Sequence, residues 1–253
     1  SLFFADHYRN IANKYDYFYK ENHQGYIPIL VKCLDLKPEH VVADIGSGTG
    51  AIAKDLFELS GLNNPIWCVD PSVEMQEVAR QKKGVYPVVK TAEEFFANPQ
   101  IRERFDRVLA TISAHHFINS NAVYKGILRS LHPGGFYVQI NTLKSSLPSF
   151  KGVKKLMRQC FEREKEISSP LLREIGLNAN ISHQEFIFSA AVTKSKLYEK
   201  YRCRFISVLQ HLSDDQIEEG ISELDNEHYQ NVKDDELINY ECTVLVTKVE
   251  KVA

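Results

Sequence analysis

Asp44, Gly46, Ser47, Gly48, Thr49 and Gly50 fall within seven residues, and Asp70 follows about 20 residues after the glycines. Glycines let backbone approach a ligand with no side chain between them. The N–H groups of a first helical turn lack intrahelical partners and favour an anionic ligand group. Two chemistries fit this spacing. Gly46, Gly48 and Ala51 satisfy the loose G-x-G-x-x-A dinucleotide pattern, with Asp70 as the ribose-binding acid. Asp44, two residues before the first glycine, points elsewhere, because it would repel a pyrophosphate and attract the ammonium of an amino-acid-bearing ligand.

These residues need a strand, a turn and a helix to hold them. The apolar run 41–43 reads as the strand. Ile52, Ala53, Leu56, Phe57 and Leu59 recur at helical spacing, and Gly61 stops that helix. Further strands are expected at 65–69, 85–89, 105–110 and 136–141, with helices at 72–81 and 121–131 between them. Ser72 caps the first of these helices. Beyond them, 185–192 and 240–249 read as strands, and 196–209 and 214–224 as helices. Ser213 and Gln216 make a capping box. Ahead of the first strand, Tyr8, Ile11, Ala12 and Tyr15 suggest one helix and 26–36 a second, ended by Pro38. Strands alternating with helices imply an α/β doubly wound, seven-stranded, mostly parallel sheet.

D-x-G-x-G-x-G at 44–50, the acid at 70 and the L-x-P-G-G turn at 131–135 together resemble the class I S-adenosylmethionine-dependent methyltransferases. The resemblance covers roughly residues 8–142 and the last strand. It implies a Rossmann-like methyltransferase fold, S-adenosyl-L-methionine as cofactor and S-adenosyl-L-homocysteine as product. It assigns Asp44, Gly46, Ser47, Gly48, Gly50, Asp70 and Pro71 to the cofactor. Met75 falls where the family packs an apolar residue on the adenine, and Ala92 and Glu93 where it borders the adenine edge. Tyr15, in the step Asn13-Lys14-Tyr15-Asp16, would fold over the cofactor, with Tyr8 beside the substrate. Thr111 and Ile112 open the family's segment after the fourth strand, and His115 and His116 follow as candidate catalytic residues. An imidazole there would orient an acceptor or take its proton, or else bond backbone as a structural group.

About 45 residues separate the last two strands, far more than a hairpin loop needs. The segments 142–182 and 193–235 are therefore expected as lid insertions on a single domain, 1–253, with 1–40 as N-terminal cap helices. Arg202 and Arg204, in the second insertion, are candidates for clamping a carboxylate acceptor.

Composition narrows the function classes. The chain of 253 residues is 43% hydrophobic and 25% charged, which suits one globular core. A net charge of −2 provides no general polyanion-binding field, so nucleic acid is not the expected partner. Five scattered cysteines show no metal-ligand spacing, and reduced thiols fit a cytoplasmic setting. No apolar run approaches the roughly 20 residues of a membrane span, and the first ten residues lack a signal-peptide layout. The expected activity is methyl transfer to a small-molecule acceptor, carboxylate, hydroxyl or amine, under a helical lid. The alternatives are a nucleic-acid or protein methyltransferase, a non-catalytic S-adenosylmethionine-binding protein and a nicotinamide oxidoreductase.

Overall fold

The computed structural model describes residues 11–150, 153–154 and 179–252. Its central strands are largely apolar on both faces because helices cover both sides of the sheet there. β1 (Val42–Ile45) is buried at every position, and β2 (Ile66–Asp70), β3 (Val85–Val89) and β4 (Phe105–Thr111) pair around it. β5 (Leu131–Ser145) follows, then β6 (Ala179–Thr193) and β7 (Leu237–Lys251). The seven-stranded sheet has the order β3-β2-β1-β4-β5-β7-β6. The first five strands are parallel, and β7 runs antiparallel between β5 and β6. Strand order reverses between β1 and β4, so the crevice for a ligand opens at their carboxyl ends.

Helices α1 (Ala12–Leu34) and α2 (Ala51–Ser60) bury Leu30, Leu34, Ile52 and Leu56 on one face of the sheet. On the other face, α4 (Ala92–Ala97) and α5 (Ser120–Ser130) bury Phe95, Phe96, Val123 and Ile127. Helix α3 (Val73–Ala79) joins β2 to β3, with Ser72 as its N-cap as expected. A third cluster gathers Leu197, Tyr201, Ile217 and Ile221 from α6 (Lys194–Arg202) and α7 (Asp214–Leu224) against Val192 and Cys242. Cys242 pairs with Ser145 at the end of β5, which puts this cluster at the carboxyl end of the parallel strands.

Three expectations need correction. The two N-terminal helices are one, ended by Asp35 in the left-handed region (φ 43) rather than by Pro38. Gly25 lets this helix lie close on β6, since a Cβ there would overlap the Phe188 ring. The helix expected at 196–209 starts two residues earlier and stops at Arg202, where Arg204 takes φ 50 and a 3₁₀ turn (Ser207–His211) follows. Strands β5, β6 and β7 each run 15 residues, longer than expected. α7 and the capping box of Ser213 and Gln216 are as predicted. Tyr8 and most of the 142–182 insertion lie outside the described residues. No described helix is long and apolar enough to cross a membrane.

Candidate cofactor and substrate site

The glycine loop leaves β1 and turns back over the end of β2. Gly46 and Ser47 donate their N–H groups to the Val69 carbonyl at 2.8 and 3.2 Å. The Asp70 carboxylate accepts from the Gly48 N–H at 3.0 Å and the Ser72 N–H at 2.9 Å. Gly46 has φ 70, and a Cβ there would overlap Ser113, whose hydroxyl donates to the Ile45 carbonyl at 2.6 Å. Gly48 has φ 54, and the Tyr15 ring rests 3.6 Å from where its Cβ would stand. Side chains other than hydrogen are excluded at Gly46 by both conformation and space, and at Gly48 mainly by conformation.

Two carboxylates meet beside this loop. Asp44 is 2% exposed, and no described residue hydrogen-bonds its side chain. Burial, and then the nearby Asp70 charge, push its pKa up to about 7. Asp70 is half-buried, and burial raises its pKa to about 6 against the two backbone N–H bonds that lower it. A buried carboxylate without a partner calls for a cation. A carboxylate has about four lone-pair sites, so two remain on Asp70 after its backbone bonds. That acceptor set fits the ammonium and ribose diol of an S-adenosyl amino acid.

Four side chains that the sequence reading did not single out brace the site. Gln76 is buried and donates to the Gly48 carbonyl at 3.0 Å and the Ser47 hydroxyl at 3.3 Å. Its own carbonyl accepts from the Val88 N–H at 2.9 Å. Asp16 accepts from the Thr49 hydroxyl and pairs with Lys82 at 2.8 Å, while Lys82 also donates to the Thr49 carbonyl at 2.9 Å. These contacts pin α1 across the loop. Ser113 closes the loop from below. The available signal was a polar residue at an inward helical position, as Gln76 is beside Met75 and Ala79.

The remaining cofactor candidates surround the loop. Tyr15 stacks on Tyr19 at 4.4 Å between ring centroids, with the His23 ring 6.1 Å from it. Burial pushes His23 down to about 4. Met75 and Ala92 are buried, and Pro71 is exposed at the loop edge. One oxygen of Glu93 accepts from the Ile118 and Asn119 N–H groups at 2.8 and 3.1 Å, so Glu93 ties α4 to the turn after β4 and has one oxygen left. The Thr111 hydroxyl is buried with no hydrogen-bond partner among the described residues. Ile112 has φ 52, an uncommon conformation for a β-branched residue, and this turns the chain so that Ser113 reaches under Gly46.

His115 and His116 form a 3₁₀ turn (Ala114–His116), with ring centroids 3.9 Å apart. His115 is exposed, while neighbouring protein atoms crowd its ring. The direction of its shift follows from that crowding: its pKa falls to about 4, and the ring is neutral at neutral pH.

The arginine clamp is not assembled. Arg202 makes a bidentate pair with Glu218 at 2.7 and 2.9 Å, and Arg204 pairs with Asp214 at 2.6 Å. Both hold α6 and its end to α7. The buried cations of α6 are lysines on its other face.

Residues 43–139 match the family model for a methyltransferase domain. The chain is 32% identical over 120 residues to an uncharacterized methyltransferase of Anoxybacillus flavithermus, covering 45% of this chain and 54% of that protein. It is 27% identical over 159 residues to the ubiquinone/menaquinone biosynthesis C-methyltransferase UbiE of Wigglesworthia glossinidia brevipalpis, covering 60% of this chain and 62% of that one. It thus spans little more than half the length of these relatives. The fold is similar to the phosphoethanolamine N-methyltransferase 2 of Haemonchus contortus in complex with phosphomonomethylethanolamine and S-adenosylhomocysteine. That likeness has a TM-score of 0.56 at 19% identity over 96% of this chain and 57% of that one. The YcgJ protein of Bacillus subtilis is similar at a TM-score of 0.56 and 16% identity, over 90% of this chain and 98% of its own. With the glycine loop, its two carboxylates and the sheet order as found, residues 43–139 form a methyltransferase domain that resembles those of the class I S-adenosylmethionine-dependent methyltransferases.

Proposed function

We propose that this chain transfers the methyl group of S-adenosylmethionine to a small-molecule acceptor held between α1, the histidine turn and the α6–α7 pair. The observation that carries this reading is Asp44, a buried carboxylate without a hydrogen bond from any described residue, two residues ahead of the glycine loop and beside Asp70. Asp44 is the counter-charge for the cofactor ammonium, and Asp70 offers its open lone pairs to the ribose hydroxyls. Gly46, Ser47, Gly48 and Gly50 bring backbone against the cofactor, and Pro71, Met75, Ala92, Thr111 and Ile112 complete its walls. Glu93 has one oxygen open for the adenine edge, and Tyr15 covers the loop from α1.

S-adenosylmethionine supplies a methyl group already activated on a sulfonium. What remains for the protein is to align an acceptor and keep water away. His115 suits the first task. At a pKa of about 4 it is a weak base at neutral pH, and its neutral ring can hydrogen-bond an acceptor. His116 shares its turn. The 193–235 segment serves as the lid, and the net charge of −2 favours a small acceptor over nucleic acid. Calorimetry with S-adenosylmethionine, S-adenosylhomocysteine and NADH tests the reading. Micromolar binding of the first two, about −8 kcal/mol, is expected. A preference for NADH would overturn it.

A further inference from the structure

Helix α6 carries Lys196 and Lys200 one turn apart, both on its buried face. Lys196 is 8% and Lys200 3% exposed. Both reach one carboxylate, Glu21 of α1: Lys196 bonds one oxygen and Lys200 the other, at 3.3 Å. The Tyr17 ring lies 4.1 Å from the Lys196 ammonium. Among the described residues these are two ammonium groups facing one carboxylate, a surplus of one positive charge. Each ammonium has three donors, and among the described residues it hydrogen-bonds only Glu21. An uncompensated buried charge is strongly unfavourable, so this place favours a second anion. Burial lowers the pKa of Lys200, while the two lysines hold that of Glu21 down against its own burial.

The cluster is continuous with the cofactor loop. The Lys200 ammonium lies 5.5 Å from the Phe205 ring, Phe205 lies 5.7 Å from Tyr19, and Tyr19 stacks on Tyr15 above Gly48. Neutral hydrogen-bonding groups stand close by, with the Tyr240 hydroxyl donating to Asn22 of α1 at 3.3 Å. We propose that Lys196 and Lys200 form an anion subsite that binds a carboxylate or phosphate group of the methyl acceptor. This deepens the methyltransferase reading and rests on it. The arginines expected for that task lie on the outer side of the same region, neutralised by α7.

The test titrates inorganic phosphate and acetate into the full chain by calorimetry, with and without S-adenosylhomocysteine. Saturable binding of at least one anion is expected. It should weaken about tenfold or more in Lys200→Met and Lys196→Met, the loss of a hydrogen bond to a charged group. Arg202→Met should leave it unchanged. Stronger phosphate binding supports a phosphorylated acceptor, and stronger acetate binding a carboxylic one. Glu21→Gln removes the counter-charge and should tighten binding of the anion that the wild type already binds, whereas a self-contained ion triad would bind an anion only after this substitution. This arm also decides the matter if either lysine variant fails to fold. Absence of saturable binding by the wild type, or binding indifferent to Lys196→Met, Lys200→Met and Glu21→Gln alike, overturns the proposal. A parallel loss of S-adenosylhomocysteine affinity in Lys200→Met also overturns it, because the anion would then be the cofactor's own carboxylate. Lysine-dependent anion binding in a wild type that binds no S-adenosylhomocysteine would leave the anion site standing and sink the methyltransferase reading instead.

Discussion

The Gln76 side chain joins the Gly48 carbonyl, at 3.0 Å, to the Val88 N–H, at 2.9 Å, from a fully buried position on α3. One amide thereby sets the height of the glycine loop relative to β3. Gln76→Met keeps the volume but leaves both backbone groups without this partner. It should cost about 1–3 kcal/mol of unfolding free energy, the penalty for unsatisfied buried groups. S-adenosylhomocysteine affinity should fall with it. Denaturation and calorimetry indistinguishable from wild type would refute this brace.

Asp44 and Asp70 make ligand-free stability depend on pH. Both have folded pKa values, about 7 and about 6, above the ordinary 3.8. The folded state therefore binds more protons than the unfolded state between those limits. Stability from this pair is present at low pH and lost as pH rises through about 4 to 7. Asp44→Asn should raise the ligand-free melting temperature at about pH 8 and flatten its pH dependence. An ammonium ligand favours ionised Asp44, so S-adenosylhomocysteine should bind more tightly as pH rises through about 7 and release a proton. Calorimetry in buffers of different ionisation enthalpy reads that proton, and Asp44→Asn should abolish it.

Gly46→Ala and Gly48→Ala share the cost of a left-handed conformation, about 1–2 kcal/mol. Only at Gly46 does the added methyl also overlap Ser113. Gly46→Ala should be the more destabilising in urea denaturation, and Ser113→Gly should recover part of the difference. Equal costs would mean that the Ser113 contact yields without penalty.

His115 should act as a positioning group. With its pKa near 4, it carries no titration limb between about pH 6 and 8. His115→Ala should raise the acceptor KM about tenfold, as a lost hydrogen bond would, and leave S-adenosylhomocysteine affinity unchanged. His115→Gln should restore part of the loss. A kcat limb near neutral pH that vanishes in His115→Ala would identify a general base instead.

The 193–235 segment should close on ligand. Limited proteolysis there is expected to slow in the presence of S-adenosylhomocysteine together with an acceptor or the anion that stands in for it. Equal cleavage rates in both conditions would make these helices fixed structure.

The alternating strands and helices, the glycine loop with Asp44 and Asp70, and the Ser213–Gln216 capping box were legible in the sequence. Each is a local pattern: backbone sterics demand glycine at a positive φ, caps act over three residues, and apolar period follows the element. Tertiary structure decided the rest. Gln76, Asp16 and Lys82 matter through partners 12 to 66 residues away, a relation that no local pattern carries. The choice between arginine and lysine on α6 was likewise invisible. Both are long basic side chains with apolar stems and can line either a surface or a buried face. Packing of α6 against Glu21, 175 residues earlier in the chain, turned Lys196 and Lys200 inward and left Arg202 to Glu218 on the surface.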